Sequence, residues 1–421
     1  MRFVSTRGGA PPVPVSEAMR RGLAPDGGLY VPEAMPSFAP GDFDGCETVA
    51  EVAARLLAPF FAGDPLQGEL GAVCDAAFDF PVPLRALSPG GPHLLELFWG
   101  PTAAFKDFGA RFLAQALVRV VDEPLRIVVA TSGDTGGAVA AAFHGLPDVE
   151  VVVLYPLGRV SARQEHQLCG FGGNVRALAV RGTFDDCQAL AKAAFADPRV
   201  AAGRALSSAN SINVGRLLPQ AAYHAAAALW RWRATGRAAP WVVPSGNVGN
   251  ATAALWARAW GLPLGPVTLA ANANRALVDW VMSGERGGRA TIATLANAMD
   301  VGAPSNLERL AALFPEGATG VRADSVDDAA IRGRIAAAWR AWGVALCPHT
   351  ACAAEAWARA GGDEEAVLVG TAHPAKFEGV VEPIVGEAVP VPPALAAILE
   401  RPWARVEVAP TLEAVFGDEA R

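Results

Sequence analysis

The chain has 421 residues, of which 52% are hydrophobic and 18% charged, and its formal net charge is −7 at pH 7. That length calls for two or three packing units, and the apolar content is enough for a large core and excludes a disordered chain. An acidic balance with no basic block argues against nucleic acid or an anionic membrane as the partner.

The N-terminal MRFVSTRGGAPP lacks the long apolar region of a secretory signal. Six cysteines (Cys46, Cys74, Cys169, Cys187, Cys347, Cys352) are scattered without CxxC pairs, which predicts reduced thiols in a cytosolic protein rather than a disulfide framework or a zinc site. The first ninety or so residues are rich in Pro and Gly and carry helical stretches such as Thr48–Phe61. An alternation follows. Leu125–Ala130 reads as a buried strand, 131–137 as a turn, Ala138–His144 as a helix and Val149–Tyr155 as the next strand. Arg176–Val180 is another strand, Phe184–Phe195 a helix, Arg204–Ser208 a short strand and Leu217–Arg233 a long helix. A second series holds strand Trp241–Val243, helix Ala251–Trp260, strand Pro266–Ala271, helix Ala329–Trp342 and strand Ala366–Gly370. The longest uncharged window, Ala238–Ala257, is broken by Pro244, Gly246 and Gly249 and belongs to this series rather than to a membrane span.

Strands and helices taking turns predict an α/β protein whose mainly parallel sheets are covered by helices. The expected organisation is an N-terminal α-rich domain over 1–93, a first lobe over 94–240 and a second lobe with a C-terminal extension over 241–421. Ligands collect at the C-terminal ends of such strands, so the loops there carry the functional argument.

Three loops stand in that position. In Thr131-Ser-Gly-Asp-Thr-Gly-Gly137 small side chains let backbone N–H groups converge ahead of a helix, which suits a carboxylate or phosphate; alone it reads equally as a capped strand-to-helix turn. Pro244-Ser-Gly-Asn-Val-Gly-Asn250 permits positive φ and can cradle a phosphate, but it is not a Walker A loop because no Gly-Lys-Ser/Thr follows. In Gly370-Thr-Ala-His-Pro-Ala-Lys-Phe377 the Thr371 hydroxyl can face a heterocycle nitrogen, while His373 reads more readily as a structural group than as a base. Ahead of all three lies Lys106, between Phe105 and Asp107–Phe108. Either its stem snorkels along an apolar helix face, or poor solvation lowers its pKa and leaves an amine able to form an imine with an aldehyde. An imine lysine, a phosphate cradle and a hydroxyl for a ring nitrogen are the separate needs of pyridoxal phosphate.

The stretches ELFWGPTAAFKDFGARFLA (96–114), TSGDTGGA (131–138), SSANSINVGRLLPQ (207–220), PSGNVGN (244–250) and TAHPAKFEG (371–379) together resemble the threonine synthases. These are pyridoxal-phosphate enzymes of fold type II, the tryptophan-synthase-β-like group. STRG (5–8), GLAPDGGLYVPE (22–33) and MDVGAPSNLER (299–309) are similar to the same family, so the likeness runs from about residue 5 to about residue 385. The resemblance implies that Lys106 carries the cofactor as an imine, that Ser245, Gly246, Asn247, Val248, Gly249 and Asn250 hold its phosphate, that Thr371 faces the pyridine nitrogen and that Asp134 lies near the ring hydroxyl. It implies a turn of Ser132, Gly133 and Thr135 for the substrate carboxylate. Arg216 is a candidate for the substrate phosphate and Arg163 a weaker one, each with a structural ion pair as the alternative.

The implied reaction takes O-phospho-L-homoserine and water to L-threonine and phosphate, in the cytoplasm, by a monomer or homodimer. Three positions, in two stretches, depart from the family pattern. Val214 and Gly215 stand where Trp-Ala is common, and Val248 where Phe is common; both changes remove bulk near the expected pocket. The alternatives are a related fold-type II lyase (a phospholyase or a serine/threonine dehydratase), a silent binding protein on the same scaffold, and a nucleotide-binding protein. The last lacks the GxGxxG loop and its later ribose-binding acid.

Overall fold

A computed structural model describes every residue except 202, 286, 316–319, 364 and 418–421. In chain order the strands are β1 (Phe3–Ser5), β2 (Tyr30–Pro32), β3 (Leu84–Ala86), β4 (His93–Glu96), β5 (Leu125–Ala130), β6 (Val149–Pro156), β7 (Val175–Val180), β8 (Ala205–Ser208), β9 (Ala239–Pro244), β10 (Leu264–Ala271), β11 (Val321–Ser325), β12 (Val367–Gly370) and β13 (Val406–Val408).

The strands make two principal sheets. One runs β13-β7-β6-β5-β8 and is parallel throughout. The other runs β11-β10-β9-β12-β4-β3, parallel except for the antiparallel edge pair β3–β4. Every residue of β5 is buried, as expected of a central parallel strand covered on both faces. A small antiparallel pair, β1–β2, belongs to the N-terminal region. There the helix Val49–Phe61 starts at a capping box, with Thr48 accepting from the Glu51 N–H, and Phe60 at the helix's far end packs on Trp260 at 5.0 Å between ring centroids.

The expected boundaries at 93/94 and 240/241 do not follow the sheets. The strand β4 pairs with β12, some 270 residues later, and β13 closes the edge of the sheet that begins with β5. Short strands flanked by Pro and Gly carry little periodicity, so neither β4 nor β13 is visible as a strand in the sequence. Two helices also begin earlier than expected, at Asp134 and at Gly249. In the first of these helices Gly136 lies inside the first turn because the helix presses on its neighbours: a Cβ there would stand 2.5 Å from Thr131 Cγ2 and 2.8 Å from Val153 Cγ1. Among the described residues, no helix is long and apolar enough to cross a membrane.

Candidate active site

Lys106 opens the helix Lys106–Val120, in which Phe108, Phe112, Leu113, Ala116 and Leu117 recur at helical spacing on a buried face. Phe108 packs edge-on against Tyr223 at 4.9 Å and Phe80 at 4.8 Å, and these contacts fix the helix start. The preceding turn is stitched to the end of β12. Phe105 N–H donates to the Thr371 carbonyl at 2.8 Å, His373 N–H donates to the Ala103 carbonyl at 3.0 Å, and Ala104 bridges Ala372. This stitching is why two residues 265 positions apart, Lys106 and Thr371, line the same cleft.

The cleft wall also holds Asp134 and the whole run Ser245–Asn250. Gly246 sits so close to the opposite wall that a Cβ there would stand 2.5 Å from Met299 Cα. Val248 is left-handed at φ 66°, a conformation that a β-branched residue rarely adopts. It leads into the helix Gly249–Ala259, whose first N–H groups have no carbonyl partner inside the helix. The Asn247 side chain ties the loop down, donating to Ser211 Oγ at 2.7 Å and accepting from the Ser305 N–H at 2.6 Å.

The electrostatics favour a reactive amine. Burial, and then repulsion from the Arg216 guanidinium, bring Lys106 down to about 8, against a smaller opposing pull from Asp134. Its Nζ lies 4.5 Å from the Phe105 ring centroid. Asp134 behaves oppositely: burial alone would raise its pKa, but Lys376, His349 and Gln164 outweigh that and keep it below the ordinary value. Lys376 Nζ stands 2.8 Å from Asp134 Oδ1, with the two side chains 0% and 5% exposed, and donates to the Thr102 carbonyl at 2.7 Å.

Among the described residues, two buried polar atoms on the cleft wall lack a protein partner, Thr371 Oγ1 and Asn250 Nδ2. A hydroxyl and an amide left unsatisfied at this depth are costly unless a bound group meets them.

Three family models match. "Threonine synthase N terminus" covers residues 2–78, "Pyridoxal-phosphate dependent enzyme" 93–371, and "Threonine synthase, C-terminal" 350–416. Threonine synthase from Escherichia coli K12 is 40% identical over 93% of this chain and 92% of its own. The chain belongs to the threonine synthase family. The crystal structure of threonine synthase from Escherichia coli superposes with a TM-score of 0.91 at 38% identity, covering 98% of each chain. The PLP-bound threonine synthase from Brucella melitensis gives 0.90 at 33% identity, over 100% of this chain and 99% of the other. Like these threonine synthases, the chain is a pyridoxal-phosphate-dependent enzyme of fold type II. Its own cleft fits that cofactor: an amine without a carboxylate partner among the described residues, an orphaned hydroxyl and a glycine-rich helix start face a common space.

The sequence-predicted residues fall into two groups. Lys106, Asp134, Ser245, Gly246, Asn247, Val248, Gly249, Asn250 and Thr371 share the cleft. Ser132 and Thr135 flank Asp134 and are half-buried, while Gly133 is buried at φ 136° and any side chain there would meet the Gln164 amide at 2.6 Å.

The two arginines stand outside the cleft wall. Arg216 is 1% exposed and is not part of the cleft wall; its backbone and Nε pack on Gly109, one turn after Lys106, and its Nη1 donates to the Ala209 carbonyl. No carboxylate pairs with it among the described residues, so the ion-pair alternative does not describe it; it is a buried charge that acts on Lys106. Arg163 is held by the Ala375 carbonyl and lies 3.7 Å from Glu378, so the ion-pair alternative describes it.

Sequence reasoning missed Lys376 and His349. Lys376 stands in the TAHPAKF loop, three residues after His373; a lone lysine in an otherwise uncharged run was the available signal. His373 itself accepts from the Ala375 N–H at 3.2 Å and stacks edge-on with Phe98 and Trp99, a structural role. His349 lies on the cleft wall, and its Nε2 accepts from the Ala298 N–H at 3.1 Å. Burial takes it down to about 4, so it is neutral at physiological pH.

Proposed function

We propose that this chain converts O-phospho-L-homoserine and water to L-threonine and phosphate. The observation that carries the reading is the half-buried Lys106 amine, with no carboxylate partner among the described residues, in one cleft with the helix start at Gly249 and the orphaned Thr371 hydroxyl. Lys106 would bind the cofactor aldehyde, Ser245–Asn250 its phosphate and Thr371 its ring nitrogen. When bound, pyridoxal phosphate supplies an electron sink for the carbanion left by loss of a proton beside the substrate amine.

The protein's part is binding and proton movement. The N–H groups leading the helix Asp134–Phe143, together with Ser132 and Thr135, offer donors to the substrate carboxylate. Once the substrate amine has displaced it from the cofactor aldehyde, the neutral Lys106 Nζ would accept the proton from Cα, pass it on, and then accept one from Cβ, which lets the Cγ–O bond break and phosphate leave. Lys106 would return that proton to Cγ, water would give its hydroxyl to Cβ and its remaining proton to the departing phosphate, and a proton would return to Cα. Desolvation first, and then the neighbouring Arg216 charge, keep a useful fraction of Lys106 neutral near pH 8. The ion-paired Lys376 and Asp134 hold a fixed carboxylate on the same wall. The six free cysteines support the cytosolic location expected from the sequence.

Incubating the protein with O-phospho-L-homoserine tests the reading. Phosphate and threonine in equal amounts are expected, with borohydride fixing the cofactor on Lys106. Phosphate with 2-oxobutyrate in place of threonine would transfer the chain to the related lyases.

A further inference from the structure

Behind the Ser245–Asn250 loop, three buried side chains decide which way one amide points. Trp241 on β9, and Tyr223 and His224 on the helix Gln220–Thr235, are fully buried, and Asn250 is nearly so. An indole N–H can only donate. Trp241 Nε1 gives its proton to His224 Nδ1 at 3.1 Å, so Nδ1 is the lone-pair nitrogen and the imidazole proton sits on Nε2. Burial holds His224 at about 4, opposed by its bonds to Asn250, which keeps the ring neutral and this tautomer fixed through the physiological range.

The chain of donors then ends on one oxygen. His224 Nε2–H donates to Asn250 Oδ1 at 2.9 Å, with the Asn250 carbonyl at 3.2 Å. The Tyr223 hydroxyl, which also lies 3.2 Å from Gln220 Oε1, donates to the same Oδ1 at 2.8 Å. The reversed amide would set an NH₂ group against the His224 N–H, two donors facing each other in the core. Asn250 Nδ2 is thus the free end of the side chain, buried without a protein partner on a residue that lines the cleft.

We infer that His224, locked by Trp241, is a positioning residue that holds the Asn250 amide with its Nδ2 donor offered to the phosphate group of pyridoxal phosphate. This rests on the reading that the Ser245–Asn250 loop holds that phosphate. Neither His224 nor Trp241 touches the cofactor; both act through Asn250.

The test titrates apoenzyme with pyridoxal phosphate and, separately, with pyridoxal, which lacks the phosphate; binding is read from the imine absorbance. His224→Leu removes both hydrogen bonds and should weaken pyridoxal phosphate about tenfold, the scale of one hydrogen bond to a charged group, while pyridoxal affinity stays unchanged. His224→Gln can accept from Trp241 through Oε1 and donate to Asn250 through Nε2, and should restore most of the affinity. In an Asn250→Ala background, His224→Leu should add nothing further. Equal loss of pyridoxal and pyridoxal phosphate, failure of the glutamine variant to rescue, or additive losses in the double variant would each overturn the proposal. If Asn250→Ala leaves affinity intact while Asn247→Asp weakens it, the loop reading stands and the proposal falls; if neither variant changes affinity, the loop reading falls as well.

Discussion

Replacing Lys376 by Met tests whether the buried pair with Asp134 holds the cleft wall. The methionine keeps the volume and removes the charge, leaving Asp134 with Gln164 Nε2 at 3.0 Å as its remaining side-chain donor. Breaking a buried pair from one side costs about 3–5 kcal/mol, because the surviving charge is stranded. The lost hydrogen bond to the Thr102 carbonyl adds about 1 kcal/mol. The first part depends on pH and the second does not. In the parent, Asp134 titrates below the ordinary carboxylate value, so its stabilising contribution is present above the unfolded pKa of about 3.9 and fades as pH falls through the lower folded value. Without Lys376, the burial term has lost its main opponent and the Asp134 pKa rises. The folded variant then takes up a proton at higher pH than its unfolded chain, and its deficit shrinks as pH falls through the raised value. Urea unfolding at pH 8 and at pH 5.5 measures both parts. Adding Asp134→Asn at pH 8 should recover most of the loss by removing the stranded charge. A deficit that is the same at both pH values, or a double variant no more stable than Lys376→Met, refutes the reasoning.

Thr371→Val should leave the apoenzyme's stability within about 0.5 kcal/mol, since Oγ1 has no protein partner, yet change the cofactor's absorbance and weaken its binding; a large loss of stability would show a partner within the protein. In apoenzyme, modification of Lys106 by an amine-selective reagent should rise with a midpoint near pH 8, and Arg216→Met should move that midpoint upward because a neighbouring positive charge is removed; an unmoved midpoint would leave Arg216 without an electrostatic role. Gly246→Ala drives a methyl to 2.5 Å from Met299 Cα and should cost about 1–3 kcal/mol together with cofactor affinity, read by melting and by absorbance; normal values for both would mean the wall at Met299 yields freely.

The strands β5, β6, β7 and β10 were legible because burial writes mostly apolar runs, and their observed ends differ from expectation by no more than two residues. The cleft residues were legible as motifs at strand ends. What the sequence could not carry was pairing at long range: nothing in HLLE announces that it will lie beside VLVG of β12. Nor could it say which charges face one another. Arg216 reads as a phosphate ligand or an ion-pair partner until Gly109 is seen to admit it beneath the first turn of the lysine helix, and Lys376 carries no sign of its pairing until Asp134 is found against it. The Asn250 amide belongs to the same class, because its orientation is set by Trp241 through His224, with no local trace.

The exchange of strands between distant parts of the chain bears on how the molecule is made. The sheet that carries the Ser245–Asn250 loop is unfinished until β12 emerges, since β4 has no partner toward β9 without it. During synthesis from the N-terminus, the segment bearing Lys106 must therefore wait for more than two hundred further residues before the floor beneath it exists. A nascent chain stopped shortly before Val367 would hold nearly every chemical group of the cleft and still be unable to assemble it.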